Sequence, residues 1–152
     1  MSRFLLTISA NSLAAQIASL INSGQQLRFH LTQSSIQLSP VRYLIELHKD
    51  KVIGVIGLDQ CNSKVTELKH LCVHPDYRRQ GIGRKLLEKG ALASQTELVF
   101  GAVRSDNLVN IRNNLRIGMV PICKKSKGYY SIIIFVRRKD SGTIRRRRYQ
   151  RR

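Results

Sequence analysis

The 152-residue chain has no tryptophan, only nine acidic residues and only three cysteines. An odd number of cysteines at unpatterned spacing argues against a disulfide framework. It favours a reducing compartment such as the cytoplasm, with an organelle or the nucleus still open. No apolar run approaches the ~18 residues of a membrane span, so no membrane association is expected. No group of cysteines and histidines has the spacing of a zinc site, so no bound metal is expected.

The shortage of acidic residues leaves a strong excess of positive charge. Against the nine Asp/Glu stand 27 Lys/Arg, which gives a formal net charge of +18. Residues 137–152 carry +8 and the rest of the chain carries +10, so the excess is not confined to one end. A phosphate-bearing cofactor would use only a few of these charges, and the bland alternative for the rest is solubility. We expect a polyanionic partner, a nucleic acid or a nucleoprotein.

The last residues form a basic arm. Its arginines are Arg145, Arg146, Arg147, Arg148, Arg151 and Arg152. Arms of this composition bind nucleic acid through its phosphates without reading the base sequence. The alternatives are a solvated tail or a nuclear-import signal. Ser141-Gly142 reads as a flexible joint before these arginines. We expect one folded domain over residues 1–138 and an arginine-rich tail over residues 139–152.

Hydrophobic periodicity and turn residues divide the chain into strands and helices. A short apolar patch within residues 1–10 fits a first strand. A helix capped by Asn11-Ser12 should end at Gly24, and residues 25–39 form a short helix or an irregular segment. The further predicted elements are strands at 41–48, 52–60 and 65–73, a helix at 81–94, a strand at 97–103, a helix at 106–118, and a hairpin of 119–125 and 129–138.

The stretch after residue 71 predicts a phosphate-binding turn. An apolar strand ends at Val73, and Pro75 stops further pairing because it has no N–H to donate. Gly81 and Gly83 then open a helix, so free backbone N–H groups and the positive end of the helix dipole face one point. The surrounding arginines are Arg78, Arg79 and Arg84.

Two common nucleotide motifs do not fit this turn. The P-loop string is absent, and Leu86 stands where a dinucleotide fingerprint needs its third glycine. The remaining pattern, Arg78-x-x-Gly81-x-Gly83 after Val73-His74-Pro75-Asp76-Tyr77, resembles the acetyl-CoA motif of the GCN5-related N-acetyltransferases, the GNAT superfamily. Asn107, with Gly118-Met119 eleven and twelve residues later, is similar to a second family pattern. The resemblance covers residues 3–138.

The resemblance implies an α/β (α+β) GNAT fold, a mixed and mostly antiparallel central sheet flanked by helices, to which the basic C-terminal arm is added. It implies acetyl-CoA as the cofactor. The implied cofactor-binding residues are Leu71, Cys72, Val73, Arg78, Arg79, Gln80, Gly81, Ile82, Gly83, Arg84 and Asn107. Backbone N–H groups of the first three would polarise the thioester carbonyl. Both a monomer and a homodimer remain open.

The resemblance also implies a general base. Glu67 lies six residues before Val73, the offset at which histone-acetylating members of the family carry their catalytic glutamate. The alternative is a glutamate that is solvated or paired with a basic residue. Two positions depart from family patterns. Asn114 stands where a tyrosine usually supplies the acid, and Ala102 stands where enzymes that acetylate ribosomal-protein N-termini carry a glutamate.

Other groups near the predicted site are less well placed. Strand alternation puts Glu67 and Cys72 on opposite faces of the sheet unless a bulge intervenes. The tyrosines considered as proton donors are Tyr77, Tyr129 and Tyr130. Tyrosines in a closing hairpin are more often core or rim residues.

Three functions fit these observations. The first is an acetyl-CoA-dependent N-acetyltransferase acting on an amine of a protein in or near a nucleic-acid or nucleoprotein assembly. The second is an enzyme that acetylates the amino acid on charged tRNA, as toxin members of the superfamily do. The third is a nucleic-acid-binding structural component on a GNAT scaffold with little or no catalysis, which the asparagine at position 114 favours.

Overall fold

A computed structural model describes residues 9–24 and 29–139. The arginine-rich arm and most of the predicted first strand lie outside the described residues. Where that first segment is described, Ser9 caps a helix and Ala10 begins it, so the strand prediction was wrong at these two positions. No helix among the described residues is long and apolar enough to cross a membrane.

Two helices precede the sheet. Helix α1, Ala10–Ser23, begins after Ser9, whose hydroxyl accepts a hydrogen bond from the Ser12 N–H at 3.1 Å. The predicted cap at Asn11-Ser12 was therefore two to three residues late, whereas the predicted end at Gly24 is confirmed. Helix α2, Gln33–Leu38, has a capping box, in which Thr32 and Ser35 satisfy each other's backbone N–H groups.

A six-stranded sheet forms the centre of the fold. Its strands are β1 Arg42–His48, β2 Lys51–Gln60, β3 Val65–Val73, β4 Leu98–Arg104, β5 Val120–Ser126 and β6 Ser131–Arg138. Their spatial order is β1-β2-β3-β4-β6-β5, and all neighbours are antiparallel except β3 and β4. The sequence predicted each strand to within two residues.

The parallel strands β3 and β4 are hydrogen-bonded to each other at one end only. The two strands pair at Val65–Glu67 and Leu98–Phe100, and no pairing joins Leu71–Val73 to β4. A bulge in β3 accompanies the separation: Gly57 and Val55, two residues apart in β2, pair with Lys69 and Cys72, which are three apart. A bulge increases local twist and turns a strand away from its neighbour. The result is a gap in the middle of the sheet.

Helices cover both faces of the sheet. Helix α3, Ile82–Ala93, packs on one face with helix α4, Leu108–Arg116, over a core that includes Ile56, Leu86 and Phe135. The other face carries α1 and α2 over a second core, which includes Ile17, Leu20 and Val55. Helix α3 lies close against β2 because Gly54 has no side chain; a Cβ there would stand 2.9 Å from atoms of Ile82 and Leu86.

Candidate active site

The phosphate-binding turn predicted from the sequence is open in the structure. After one turn of 3₁₀ helix, Pro75–Tyr77, the chain reaches Gly81, the N-cap of α3, with a φ of 77°. That left-handed backbone favours glycine, and nothing lies within 4 Å of where a Cβ would stand. No side chain caps α3, and its first turn contains no acidic residue. Its leading N–H groups therefore lack a side-chain acceptor at the positive end of the helix dipole.

The three arginines around this turn differ in how they are held. Arg78 donates from Nε to the Val73 carbonyl at 3.0 Å, which ties the turn to the end of β3. Arg79 has a left-handed backbone with a φ of 63°, an uncommon conformation for a residue with a side chain. Arg79, Gln80 and Arg84 are exposed. The arrangement surrounds the free helix end with positive charge.

The end of β3 borders the gap in the sheet. Leu71 packs into the core under α3, whereas Cys72 faces α1, where its thiol donates to the Leu20 carbonyl at 3.2 Å. Burial raises the pKa of the Cys72 thiol, and the positive charge of Arg78 only partly opposes this. Cys72 is therefore a neutral thiol at neutral pH. The bulge reverses the alternation of side chains along β3, so Cys72 and Glu67 lie on the same face of the sheet, the one that α1 covers. Strand alternation alone had placed them on opposite faces.

Sequence reasoning missed Asn113, which borders the glycine turn from α4. A Cβ at Gly83 would stand 3.3 Å from the Asn113 Nδ2 atom and 3.6 Å from Val73. The second glycine thus lies where α3, α4 and the end of β3 meet. The side-chain amide of Asn113 adds an N–H donor there. No spacing rule pointed to it, because α3 and α4 approach each other only in the tertiary structure.

Three asparagines hydrogen-bond within α4 and its N-cap, and one of them, Asn114, lies beside the gap. Asn107 is the N-cap of α4 and accepts a hydrogen bond from the Asn110 N–H at 3.1 Å. Asn114 is only 1% exposed, and its Nδ2 donates to the backbone and side-chain oxygens of Asn110 at 2.8 and 2.9 Å. Its Oδ1 has no partner and lies 3.5 Å from the Cβ position of Gly101 on β4. A buried oxygen without a hydrogen-bond donor is rare in folded proteins, so a bound ligand would be expected to supply one.

These observations fit acetyl-CoA. The uncapped start of α3 provides free N–H groups and positive charge for the phosphates, and the gap provides unpaired strand edge for the rest of the molecule. The orphan oxygen of Asn114 could accept a hydrogen bond from an amide N–H of the cofactor arm. A carboxamide has no proton to donate as an acid at neutral pH, so Asn114 cannot replace the usual tyrosine in that role.

Glu67 is part of an ion-pair cluster on the α1 face of the sheet. Lys69 Nζ lies 3.2 Å from Glu67 Oε2 and 2.8 Å from Asp59 Oδ2. Burial alone would lower the pKa of Lys69, but hydrogen bonds and charge from the two carboxylates outweigh it and raise that pKa. Lys69 is therefore firmly cationic. Glu67 remains about a quarter exposed, so solvent or a substrate can still reach it.

His70 lies at the bulge and is bonded to Tyr43. The Tyr43 hydroxyl is 3.0 Å from His70 Nδ1, and the two rings stack with centroids 6.0 Å apart. His70 has a φ of 56°, a left-handed conformation inside a strand. Burial lowers the pKa of His70, and the charge of Lys69 lowers it further. A neutral imidazole thus lies three residues beyond Glu67, where β3 leaves β4.

The three candidate tyrosines are in different settings. Tyr77 packs against the rings of His48 and His74. Tyr130 lies under the Arg104 guanidinium, whose central carbon is 4.0 Å from the ring centroid. Tyr129 is fully exposed. The structure brings none of them into contact with Glu67. The tail arginines lie outside the described residues.

Comparisons with known structures match this architecture. An acetyltransferase from Salmonella typhimurium, solved with acetyl-CoA, is 16% identical, with 87% of this chain and 91% of its own covered and a TM-score of 0.71. The smu.2055 protein of Streptococcus mutans is 21% identical, with 84% and 94% covered and a TM-score of 0.73. Arabidopsis thaliana NAA60, solved with a bisubstrate analogue, is 13% identical, with 84% and 95% covered and a TM-score of 0.67.

Sequence identities this low show only that the fold is shared. The family follows from a match of the sequence to a family profile. A search of curated proteins found no significant match. The profile of the Acetyltransferase (GNAT) family, however, matches residues 15–118, which include part of α1, the glycine turn, the gap and α4. Acetyl-CoA is the cofactor of this family, as the neighbours solved with it show. The chain belongs to the GNAT acetyltransferase family.

Proposed function

We propose that the protein is an acetyl-CoA-dependent N-acetyltransferase that acts on an amine of a protein in or near a nucleic-acid or nucleoprotein assembly. The observation that carries the proposal is the uncapped start of α3 beside a sheet that opens between β3 and β4. The start of α3 can hold phosphates, and the opening between β3 and β4 can hold an arm that carries the acyl group. The basic surface supports the choice of acceptor, because +18 far exceeds what a cofactor needs.

Each residue of the site has a role in this proposal. Bound acetyl-CoA supplies the acetyl group as a thioester. Backbone N–H groups at Leu71–Val73, on the side of β3 that β4 leaves unpaired, would polarise its carbonyl, which favours attack by a neutral amine. Glu67 takes the proton that the amine loses, and the ion pair with Lys69 holds the carboxylate in place. Asn114 cannot supply the proton that a departing thiolate would need, so that proton would come from solvent or a hydroxyl group.

Two alternatives have specific support. Acetylation of the amino acid on charged tRNA would explain why the chain is basic beyond its arm. A structural, nucleic-acid-binding role with little or no catalysis would explain Asn114 at the position of the usual acid. The two enzymatic functions predict different acetylated products, and the structural role predicts none.

One labelling experiment separates the three functions. The full chain is incubated with radiolabelled acetyl-CoA and either a nucleoprotein extract or aminoacyl-tRNA. Label that stays on protein after nuclease treatment is the expected result. Label that is released from tRNA by mild alkali would replace the proposal with the second function. Acetyl-CoA binding in a calorimeter without transfer to either acceptor would replace it with the third.

A further inference from the structure

The second half of the chain contains a long segment without a negative charge. Residues 107–139, which span α4, β5 and β6, contain no Asp or Glu. Their eight basic residues are Arg112, Arg116, Lys124, Lys125, Lys127, Arg137, Arg138 and Lys139. Nearly one residue in four is thus cationic with no acidic neighbour in the segment to balance it. Such a segment attracts anions over distances of several ångströms.

Three of these cations already have structural partners. Arg137 donates to the Ile117 carbonyl at 3.0 Å, and Arg138 lies 3.6 Å from a Glu97 carboxylate oxygen. Lys139 donates to the carbonyls of Leu92 and Ser94. All three lie near the end of β6, and they hold that strand against the rest of the domain. They are therefore not the cations left for a partner.

The cations at the other end of the hairpin are free. We define the hairpin tip as residues 124–130, where β5 turns into β6. Lys124, Lys125 and Lys127 are exposed there, and they form no ion pair with any residue that the structure describes. Strand β5 is an edge of the sheet, so the tip has solvent on its outer side. Edge lysines also block aggregation, so by themselves they need no ligand.

The tip also presents an aromatic ring that edge protection does not explain. Tyr129 follows Gly128, whose φ is 82°, and its side chain is fully exposed. Its neighbour Tyr130 is instead covered by the Arg104 guanidinium. The two adjacent tyrosines thus differ: the ring of Tyr130 packs within the fold, whereas the ring of Tyr129 is exposed to solvent. An exposed aromatic ring among unpaired lysines is the combination that binds single-stranded nucleic acid, because the ring stacks on a base and the lysines contact phosphates.

We propose that the hairpin tip binds single-stranded nucleic acid, with Tyr129 stacking on a base and Lys124, Lys125 and Lys127 contacting phosphates. The inference deepens the nucleic-acid side of the proposed function and does not depend on acetyl transfer. Stacking is tolerant of base identity, because every base has a π-face. The site should therefore bind unpaired strands without recognising a particular base sequence.

The absence of tryptophan gives a direct test. The full chain with Tyr129→Trp has a single tryptophan at the tip, and a stacked base should quench its fluorescence. The matched control is Leu38→Trp at the end of α2, where the native side chain is 85% exposed. A single-stranded oligouridylate should quench the tip reporter and leave the control unchanged. Heparin, a polyanion without bases, should bind without quenching.

A second measurement uses the native tyrosine. Tyr129→Ala should weaken binding of the oligouridylate by roughly fivefold or more, the loss of one stacked base. Replacing the three lysines by glutamine should flatten the slope of log affinity against log salt by about 2 units, at ~0.7 per contact for a single strand. Tyr129 and the lysines are exposed, so the variants should fold, which circular dichroism checks.

Three outcomes would overturn the proposal. One is an unquenched tip reporter while anisotropy shows the oligouridylate bound. Another is equal quenching of both reporters. The third is a response to polyglutamate as large as the response to RNA, which would assign the tip to acidic proteins. Loss of acetyl-CoA binding would refute the proposed function and leave these readings intact, so the two proposals fail separately.

Discussion

His70 combines a left-handed backbone with a buried imidazole bonded to Tyr43. Burial and then the charge of Lys69 lower its pKa, while Asp59 opposes the shift weakly. An unfolded histidine titrates near ~6.5, so between that value and the lower folded pKa the unfolded chain binds more protons. The contribution of His70 to stability is therefore present above pH ~6.5 and is lost as the pH falls through the folded pKa.

We predict that acidification destabilises the wild type more than a His70→Gln variant. The difference should be at most about 1.4 kcal/mol per pH unit in the free energy of unfolding. Urea unfolding at neutral and mildly acidic pH measures it. The control is His30→Gln, the same substitution at an exposed histidine. Parallel pH curves for wild type and His70→Gln would contradict the prediction.

Glu67 is the residue on which the catalytic proposal depends. If it accepts the amine proton, Glu67→Gln should lower turnover by roughly 10²–10⁴-fold with little change in acetyl-CoA affinity. The acidic limb of the pH–rate profile should disappear in the variant. Asp59→Asn is the matched control, since it removes the other carboxylate on Lys69 and leaves Glu67 in place. Equal losses in both variants would indicate that the cluster has only a structural role.

Helix α3 and the turn before it form the element that we propose to hold the cofactor. We predict that Gly81→Asp abolishes acetyl-CoA binding, because it strains a φ of 77° and puts a negative charge at the phosphate site. Titration calorimetry on folded protein measures the affinity. Gly128→Asp is the control, because Gly128 has a φ of 82° and equally open space but lies on the hairpin. It should bind acetyl-CoA normally, and an unchanged affinity in Gly81→Asp would refute the site.

At the scale of the whole molecule, the proposal of a nucleic-acid partner depends on charge. Deleting residues 141–152 removes six arginines that are outside the described residues. If they contact phosphates, the slope of log affinity against log salt should flatten by up to ~4–5 units. Binding should weaken most at low salt and persist in part, because the chain before residue 137 carries +10. Titrations of RNA or DNA at several salt concentrations test this, and identical slopes would show that the arm is only solvated.

The sequence alone was enough to predict what depends on neighbouring residues. Strand boundaries followed from runs of apolar residues, and helix ends from glycines such as Gly24. The turn between β3 and α3 was predicted because its parts, the end of β3, Gly81 and the start of α3, are consecutive in the chain. That this turn binds phosphate stays a prediction. Caps were less certain, as Ser9 shows, because several polar residues near a helix start can each accept the same hydrogen bond.

Only the tertiary structure decided which distant groups meet. The bulge at His70 put Cys72 on the face of Glu67, and a bulge depends on how two strands pair rather than on one of them. Tyr43 reaches His70, and Asn113 reaches Gly83, across 27 and 30 positions of the chain. The orphan oxygen of Asn114 and the bare ring of Tyr129 are properties of burial, which the order of residues does not specify. Packing of whole elements fixes such contacts, so they could be found only in the folded molecule.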